Sequence, residues 1–206
     1  MDGLMFNTED LYDIVLQELM GRRSMSYSEK LKLAIMGLPG PKAFAAIKHS
    51  CGLSETIEQL QQESDEIFSG LLEEQIEMMP GLEKLLGVLE EKSIPKGIAT
   101  SSHKNFADRA LGVFDLRPRF EFVLTCESVE NGKPNPDVYL LAAEKFGVDP
   151  KEMLVLEDSV IGTRAAVSSG ATTISVPSRR VDDSQFAGAF AICESLDQSA
   201  IFDLLS

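Results

Sequence analysis

The sequence predicts an α/β protein in which a parallel sheet with helices on both faces is accompanied by a wholly helical segment. Two observations support this class. From about Glu9 to Gln75, apolar residues keep the spacing of amphipathic helices. From Pro80 onward, helix-like stretches alternate four times with short apolar runs rich in β-branched and aromatic residues. This alternation is typical of a Rossmann-like three-layer core around a parallel sheet.

The helical segment divides at glycine and proline residues. Its apolar faces are carried by three groups with helical spacing: Leu11, Ile14, Val15 and Leu19; Phe44, Ile47 and Cys51; and Ile57, Leu60, Ile67 and Leu71. The breaks between these groups contain Gly37, Pro39, Gly40 and Pro41, and then Gly52. We therefore expect one helix after another over residues 9–75.

Four helix–strand pairs follow the helical segment. The helix faces lie at 82–89, 106–113, 138–142 and 161–165, and the apolar runs that come after them are 97–100, 120–124, 153–156 and 172–176. In an open parallel sheet, ligands bind at the carboxyl ends of the strands. The residues just after each apolar run are therefore the first place to look for a functional site.

The net charge limits the partners that this chain can bind. Among 206 residues there are 33 acidic and 19 basic side chains, which gives a net charge of −14 without any block of Lys and Arg. Nucleic acids and anionic membrane surfaces need a clustered positive stripe, so we expect neither as a partner. No apolar run approaches the roughly 20 residues that cross a bilayer. These features predict a cytoplasmic globular protein, which we expect to be a monomer or weak dimer.

The cysteines and histidines show no pattern typical of a metal site. Cys51, Cys126 and Cys193 are odd in number and far apart along the chain, so they predict neither a disulfide framework nor a zinc site. His49 and His103 have no partner at metal-ligand spacing in the sequence. We expect the three cysteines to be buried thiols in a reducing compartment.

Polar residues suited to phosphate chemistry follow three of the apolar runs. Thr100, Ser101 and Ser102 follow the first run, Lys133 lies in the loop 132–137 after the second, and Glu157 and Asp158 follow the third. Each group alone is also compatible with a helix cap or an ordinary loop. Together they provide hydroxyls for phosphate oxygens, a lysine to neutralise charge, and carboxylates that can hold Mg²⁺. The sequence therefore predicts a site for phosphoryl transfer.

These residues resemble the motifs of the haloacid dehalogenase superfamily of aspartate-nucleophile phosphatases. Asp2-Gly3 with Thr8 resembles the second half of the first motif, Asp-x-Asp-Gly-x-x-x-Asp-Thr, although Asn7 stands where that pattern usually has Asp. Thr100 resembles the second motif, Lys133 the third, and Glu157-Asp158 the fourth. The helical segment 9–75 is similar to the cap of the β-phosphoglucomutase-like and pseudouridine-5′-phosphatase-like branch. The resemblance implies a core of residues 1–8 and 76–206 and a cap of residues 9–75.

The first motif is incomplete in this sequence. The family's nucleophile is the Asp two residues before Asp2, a position that would lie one residue ahead of Met1. The apolar first strand that precedes the nucleophile is also missing, and this strand is expected to be central in the sheet. A parallel sheet without it should contain a slot in its core. We expect either a start upstream of Met1 or a truncated chain, and in residues 1–206 we expect a flexible terminus that leaves Asp2 poorly fixed.

The resemblance also implies a role for each matching residue. The catalytic set is Asp2, as general acid and base, with Thr100 and Lys133 holding the phosphoryl oxygens. The metal set is Asp2 (through its backbone carbonyl), Glu157 and Asp158 around Mg²⁺, with Glu157 acting through water. The substrate-binding set is Thr8, Tyr12, Ser101, Ser102 and His103, to which the cap loop 37–42 adds candidates.

The leading functional hypothesis is a Mg²⁺-dependent phosphatase that hydrolyses a small phosphomonoester, a sugar or nucleoside phosphate, through an aspartyl-phosphate intermediate. Its partner is then a small phosphorylated metabolite. One alternative is a phosphomutase of the β-phosphoglucomutase type, although the cap has no arginine near loop 37–42 and no histidine near Tyr12. The other alternative is a pseudophosphatase that binds a ligand or partner without turnover.

Overall fold

The computed structural model describes residues 1–35, 38, 40–178 and 182–205. These residues form two compact units, one that joins residues 1–8 to residues 77–206 and one of residues 9–76. Gly37 and Pro39, two positions of the predicted specificity loop, lie outside the described residues. In the part of the chain that the structure describes, no helix is both long enough and apolar enough to span a membrane.

The unit of residues 9–76 is built from helices. They are α1 (Thr8–Gly21), α2 (Glu29–Ile35), α3 (Gly40–Cys51) and α4 (Ile57–Gln75). Helix α4 begins with a capping box, in which the Thr56 hydroxyl accepts from the Gln59 backbone N–H at 3.2 Å and the Gln59 side chain accepts from the Thr56 N–H at 2.9 Å. The prediction of successive helices in this segment is confirmed.

The other unit alternates helices with parallel strands. In chain order its elements are α5 (Leu82–Glu91), β1 (Ile98–Ala99), α6 (Lys104–Val113), β2 (Val123–Leu124), α7 (Asp137–Phe146), β3 (Leu154–Glu157), α8 (Val160–Ser169), β4 (Thr172–Ser175), β5 (Ala191–Ile192) and α9 (Ser199–Asp203). Strand β1 pairs with β2, and β3 pairs with β4, which pairs with β5; all of these pairs are parallel. The predicted parallel α/β arrangement is therefore confirmed.

The strands near the start of this unit are shorter than the apolar runs that predicted them. The run 120–124 forms a strand only at Val123–Leu124, which pairs in register with Ile98–Ala99. Among the described residues, strands β1 and β2 pair only with each other, so each lacks there the second neighbour that would extend its ladder. Strand β5 was not predicted, because Ala191–Ile192 is only two residues long and Ile192 is exposed.

The two sheets are separated by a cleft of about 630 Å³ that we call the apolar cleft. Its walls include Ile98 of β1, Leu154 and Leu156 of β3, and Leu85 and Leu86 of α5. In the described residues no strand lies between β1 and β3, so each of them is an edge strand facing this cleft. A slot of this kind is what the sequence analysis expected of a sheet without its central strand.

The first eight residues are fixed by a turn and by pairing with residues 77–79. The Met5 N–H donates to the Met1 carbonyl at 2.8 Å, and the Met79 N–H donates to the Met5 carbonyl at 2.8 Å. Phe6 is fully buried and stacks on Phe114 with ring centroids 5.7 Å apart. In this structure the tight turn and the buried Phe6 ring hold Asp2, where the sequence analysis expected a flexible terminus.

Candidate active site

The Asp2 carboxylate meets two hydroxyl groups at the carboxyl end of β1. Its Oδ2 accepts a hydrogen bond from the Ser102 hydroxyl and lies 3.4 Å from the Thr100 hydroxyl. The Thr100 and Ser102 hydroxyls lie 3.0 Å apart, and Thr100 is buried. The other oxygen, Asp2 Oδ1, is buried and has no hydrogen-bond partner among the described residues. Asp2 thus lies beside Thr100 and Ser102, which are about 100 positions away in the sequence. The sequence analysis expected functional groups to meet at the carboxyl ends of the strands in this way.

Gly3 gives the Asp158 carboxylate room beside the Asp2 backbone. Its φ of +63° lies in the left-handed region, and a Cβ at this position would overlap the Asp158 carboxylate. The Gly3 N–H donates to the Thr8 hydroxyl at 3.1 Å, and Thr8 is fully buried. The structure therefore places Thr8 as a support of this turn, whereas the sequence analysis expected it to bind substrate.

Lys133 and Glu157 form a buried ion pair at the carboxyl ends of the strands. The Lys133 ammonium lies 2.5 Å from Glu157 Oε1, and both side chains are only 7% exposed. The ammonium also donates to the Ala99 carbonyl at 3.1 Å, and the Tyr139 hydroxyl donates to the same Glu157 oxygen. The loop after β2 and the last residue of β3 are thereby joined across the open edge of β1.

Opposing effects set the charge state of this pair. Burial raises the pKa of the Glu157 carboxyl, but the Lys133 ammonium and the Met1 α-ammonium lower it and hold the pKa below its ordinary value. Burial, followed by the charge of Glu157, raises the pKa of the Tyr139 phenol well above 10. Glu157 is therefore an anion and Tyr139 a neutral donor at neutral pH.

Glu157 is enclosed by the start of α8 as well. Ser159 is the N-cap of this helix and accepts from the Gly162 N–H at 3.1 Å, while its hydroxyl lies 3.3 Å from Glu157 Oε2. A Cβ at Gly162 would overlap the Glu157 carboxylate. With both oxygens engaged by protein groups, Glu157 acts in this structure as an anchor for Lys133.

The remaining predicted substrate residues are distributed over the surface. Ser101 is exposed in the loop after β1, and His103, at the N-cap of α6, is exposed with its Nδ1 2.8 Å from Glu127 Oε1. Tyr12 belongs to the other unit, where its ring packs on Phe68 with centroids 4.6 Å apart. Tyr139 was missed by the sequence analysis, because an aromatic residue on a helix face resembles an ordinary core residue.

The donors near Asp2 fit a magnesium ion. Mg²⁺ prefers carboxylate oxygens and retains several waters. The Asp158 carboxylate lies against Gly3, the residue that directly follows the Asp2 backbone carbonyl, and Asp2 Oδ1 beside it is buried without a hydrogen-bond partner in the described chain. Glu157 contributes less directly, since its oxygens are already bound by Lys133, Tyr139 and Ser159.

Comparison with known proteins identifies the family. Residues 1–176 match the family of haloacid dehalogenase-like hydrolases. This chain belongs to that family. It falls in the branch of β-phosphoglucomutase-like and pseudouridine-5′-phosphatase-like proteins, as the resemblance implied.

The similar proteins of this family include named phosphatases. The chain is 32% identical over 174 residues to a "Phosphorylated carbohydrates phosphatase" of Thermotoga maritima, with 82% of this chain and 79% of that protein covered. It is 33% identical over 205 residues to a "Probable pseudouridine-5'-phosphatase" of Drosophila melanogaster, with 95% and 87% covered. The crystal structure of a "putative beta-phosphoglucomutase" from Thermotoga maritima is 28% identical with a TM-score of 0.87, covering 100% of this chain and 95% of that chain.

Proposed function

We propose that this protein is a Mg²⁺-dependent phosphatase that hydrolyses a small phosphomonoester, a sugar or nucleoside phosphate, through an aspartyl-phosphate intermediate. The observation that carries the proposal is the placement of Asp2. Its carboxylate lies at the carboxyl end of β1 with one oxygen held by the Ser102 hydroxyl and the other without a hydrogen-bond partner in the described chain. The names of the similar proteins, which include phosphatases of phosphorylated carbohydrates and of pseudouridine 5′-phosphate, support the substrate class.

Lys133 and Thr100 are the groups proposed to hold the transferring phosphoryl oxygens. A lysine ammonium has three N–H donors. Glu157 and the Ala99 carbonyl engage two of them, which leaves one for a phosphate oxygen. Because Glu157 balances the Lys133 charge in the buried site, the lysine can be fixed there before an anion arrives. Such prearranged charge is the main means by which proteins lower the barrier to phosphoryl transfer.

Asp2 is proposed as the general acid and base. Its carboxylic acid form donates a proton to the leaving oxygen, and the resulting carboxylate accepts a proton from the attacking water. The Asp2 backbone carbonyl and the Asp158 carboxylate would hold the magnesium ion, which would neutralise phosphate charge near the reacting centre, so that the Asp2 side chain stays available for proton transfer. Glu157 keeps Lys133 in place, and Thr8 keeps the Gly3 turn in place through its buried hydroxyl.

The proposed nucleophile is an Asp two residues before Asp2, ahead of residue 1 of this sequence. In an extended strand, residues two apart point the same way, so this Asp and Asp2 would face one pocket. Two observations support a strand at that place. Met1 lines the apolar cleft, and in the described residues no strand lies between β1 and β3. A segment placed ahead of Met1 would enter the cleft between the edges of β1 and β3.

The test compares the chain 1–206 with the same chain carrying an N-terminal extension of five apolar residues and then Asp. With Mg²⁺ and p-nitrophenyl phosphate or a panel of sugar and nucleoside phosphates, we expect turnover by the extended chain and none by chain 1–206. Replacing the added Asp by Asn should abolish turnover, and Asp2→Asn should lower kcat/KM by about a hundredfold or more.

Two results would contradict the proposal. A folded extended chain without turnover on any of these esters would exclude the phosphatase activity. Equal turnover by chain 1–206 would exclude the aspartate ahead of Met1 as the nucleophile, and a carboxylate within the chain, Glu157 first, would have to replace it.

A further inference from the structure

Three metal-ligating side chains meet where the loops after β1 and β2 come together. His103 Nδ1 lies 2.8 Å from Glu127 Oε1 and 3.3 Å from Cys126 Sγ. The three donor atoms all lie within 4.8 Å of one another. We call these residues the His–Cys–Glu cluster. It lies at the surface, because His103 and Glu127 are exposed and Cys126 is half-buried.

The backbone that carries the cluster is held by its own hydrogen bonds. Cys126 and Glu127 lie in a 3₁₀ turn, Cys126–Ser128, that a capping box between Thr125 and Ser128 closes. The Cys126 N–H donates to the Ser102 carbonyl at 3.1 Å, which joins this turn to the loop after β1. The positions of the donors are therefore set by the protein before an ion binds.

The Glu127 carboxylate is oriented so that one oxygen points at His103. The Thr125 hydroxyl donates to Glu127 Oε2 at 2.5 Å, and the Lys104 backbone N–H lies 3.3 Å from both carboxylate oxygens. Glu127 Oε1 is left to face the imidazole. Groups that orient a ligand in this way are typical of protein metal sites and raise their affinity.

We propose that the His–Cys–Glu cluster binds a divalent transition-metal ion, for which Zn²⁺ is the reference, through His103 Nδ1, Cys126 Sγ and Glu127 Oε1. Ligand bonds of about 2.0–2.3 Å in a tetrahedral zinc site place neighbouring donor atoms about 3.3–3.6 Å apart. The observed Nδ1–Oε1 separation of 2.8 Å and Nδ1–Sγ separation of 3.3 Å lie near these values. Solvent water would fill the fourth position, because the cluster is open to solvent.

The donor types select this class of ion. Imidazole and thiolate suit Zn²⁺ and its neighbours in the first transition row, whereas Mg²⁺ prefers oxygen ligands. When the ion binds, the Cys126 thiol proton passes to solvent and the neutral imidazole carries its proton on Nε2. The His–Cys–Glu cluster and the proposed magnesium site at Asp158 therefore select different cations in one chain.

Sequence spacing does not reveal this site. His103 and Cys126 are 23 residues apart, on loops that follow two different strands, and neither belongs to a paired motif such as Cys-x-x-Cys. Pairing of β1 with β2 brings the two loops side by side. The sequence analysis found no partner for His103 at metal-ligand spacing along the chain, whereas the structure places Cys126 and Glu127 beside its ring.

The test is a titration of the metal-free 206-residue chain with Co²⁺, in a phosphine reductant and excess Mg²⁺. A thiolate ligand produces an intense thiolate-to-cobalt charge-transfer band in the near ultraviolet, and Zn²⁺ should abolish it by displacing Co²⁺. We expect Cys126→Ser to remove the band, and His103→Gln and Glu127→Gln to weaken Co²⁺ binding at least tenfold. The matched controls Cys51→Ser and His49→Gln should leave the titration unchanged.

A second readout is the midpoint of thermal unfolding. An ion that binds only the folded chain raises Tm, by an amount that grows with its concentration. We expect Zn²⁺ to raise Tm of the wild-type chain and of Cys51→Ser, and not that of Cys126→Ser. Far-ultraviolet circular dichroism of the metal-free variants shows whether each is folded. Glu127→Gln repeats the Tm measurement with Zn²⁺ in a variant that keeps all three cysteines.

The proposal is overturned if Co²⁺ gives no thiolate band with the wild-type chain. It is also overturned if the band survives in Cys126→Ser and disappears in Cys51→Ser or Cys193→Ser, since the thiol would then lie elsewhere. Equal Zn²⁺ affinity of the wild-type, His103→Gln and Glu127→Gln chains would exclude the cluster as a site.

Discussion

The Lys133 ammonium lies 2.5 Å from Glu157 Oε1, in a pair whose two side chains are each only 7% exposed. Removing one partner of such a pair leaves an uncompensated charge in the interior. We expect Lys133→Met to lower the free energy of unfolding by about 3–5 kcal/mol, as measured by urea denaturation. The double variant Lys133→Met/Glu157→Gln should recover part of this loss, because it contains no buried charge. Equal stability of the wild-type and Lys133→Met chains would show that the pair is solvated.

The same pair should give the chain a dependence of stability on acid. The Lys133 and Met1 ammonium groups outweigh burial and lower the folded pKa of Glu157 below its unfolded value of about 4.3. The stabilisation is therefore fully present above about pH 4.3 and is lost as pH falls through the folded pKa. Urea denaturation between pH 3 and 7 should show a shallower acid loss in Glu157→Gln than in the exposed control Glu91→Gln. Identical slopes in the two variants would contradict the assignment.

Gly162 should not accept a side chain. A Cβ at this position in α8 would overlap the Glu157 carboxylate. We expect Gly162→Ala to lower the free energy of unfolding by about 1–3 kcal/mol through overpacking. Gly112 in α6 is the matched control, since a Cβ there meets nothing within 4 Å. Gly112→Ala should raise stability by about 0.5–1 kcal/mol, because alanine favours helix over glycine. Stabilisation by both substitutions would show that Glu157 is free to move.

Asp158 should affect the magnesium requirement of the N-terminally extended chain. Asp158→Asn keeps the size of the side chain beside Gly3 and removes its charge. We expect kcat/KM to fall by about a hundredfold and half-saturating Mg²⁺ to rise, as measured by phosphate release at graded Mg²⁺. Asp203→Asn, at an exposed position in α9, is the control and should change neither. An unchanged magnesium profile in Asp158→Asn would remove Asp158 from the metal set.

Tyr12 should affect substrate binding through its hydroxyl. Tyr12→Phe keeps the ring that packs on Phe68 at 4.6 Å, so we expect Tm to stay unchanged. If the hydroxyl binds substrate, KM should rise severalfold while kcat changes little, which is the pattern of a lost ground-state contact. Tyr27→Phe removes a hydroxyl 3.4 Å from Asp13 in the same unit and should leave KM unchanged. Equal KM values in both variants would exclude Tyr12 as a specificity residue.

The fold could be predicted from the sequence where apolar residues keep the same spacing over many positions. The helices of residues 9–76 and the alternation of helices with parallel strands follow directly from such periods. The lengths of β1 and β2 could not be predicted, because they depend on which neighbours are present in the sheet. The turn that fixes Asp2 depends on Phe6, a single buried ring that gives no periodic signal.

The candidate site could be predicted where residues follow strands. Thr100, Lys133 and Glu157 all lie at the carboxyl ends of strands, which is where the sequence analysis looked for them. What could not be predicted is which of these groups bind one another. The Lys133–Glu157 pair is visible only when β2 and β3 are placed in space, and so is the hydrogen bond that Tyr139 donates to it.

The apolar cleft has a consequence for amide hydrogen exchange along β1. The Ile98 N–H donates to the Phe122 carbonyl at 3.0 Å, and the Thr100 N–H donates to the Leu124 carbonyl at 2.9 Å. Successive amides of a strand point to opposite edges, so the Ala99 amide between them points toward the cleft. The amides of Ile98 and Thr100 exchange only when β1 separates from β2, whereas that of Ala99 exchanges as solvent enters the cleft. Protection against deuterium uptake therefore alternates along β1 from one residue to the next.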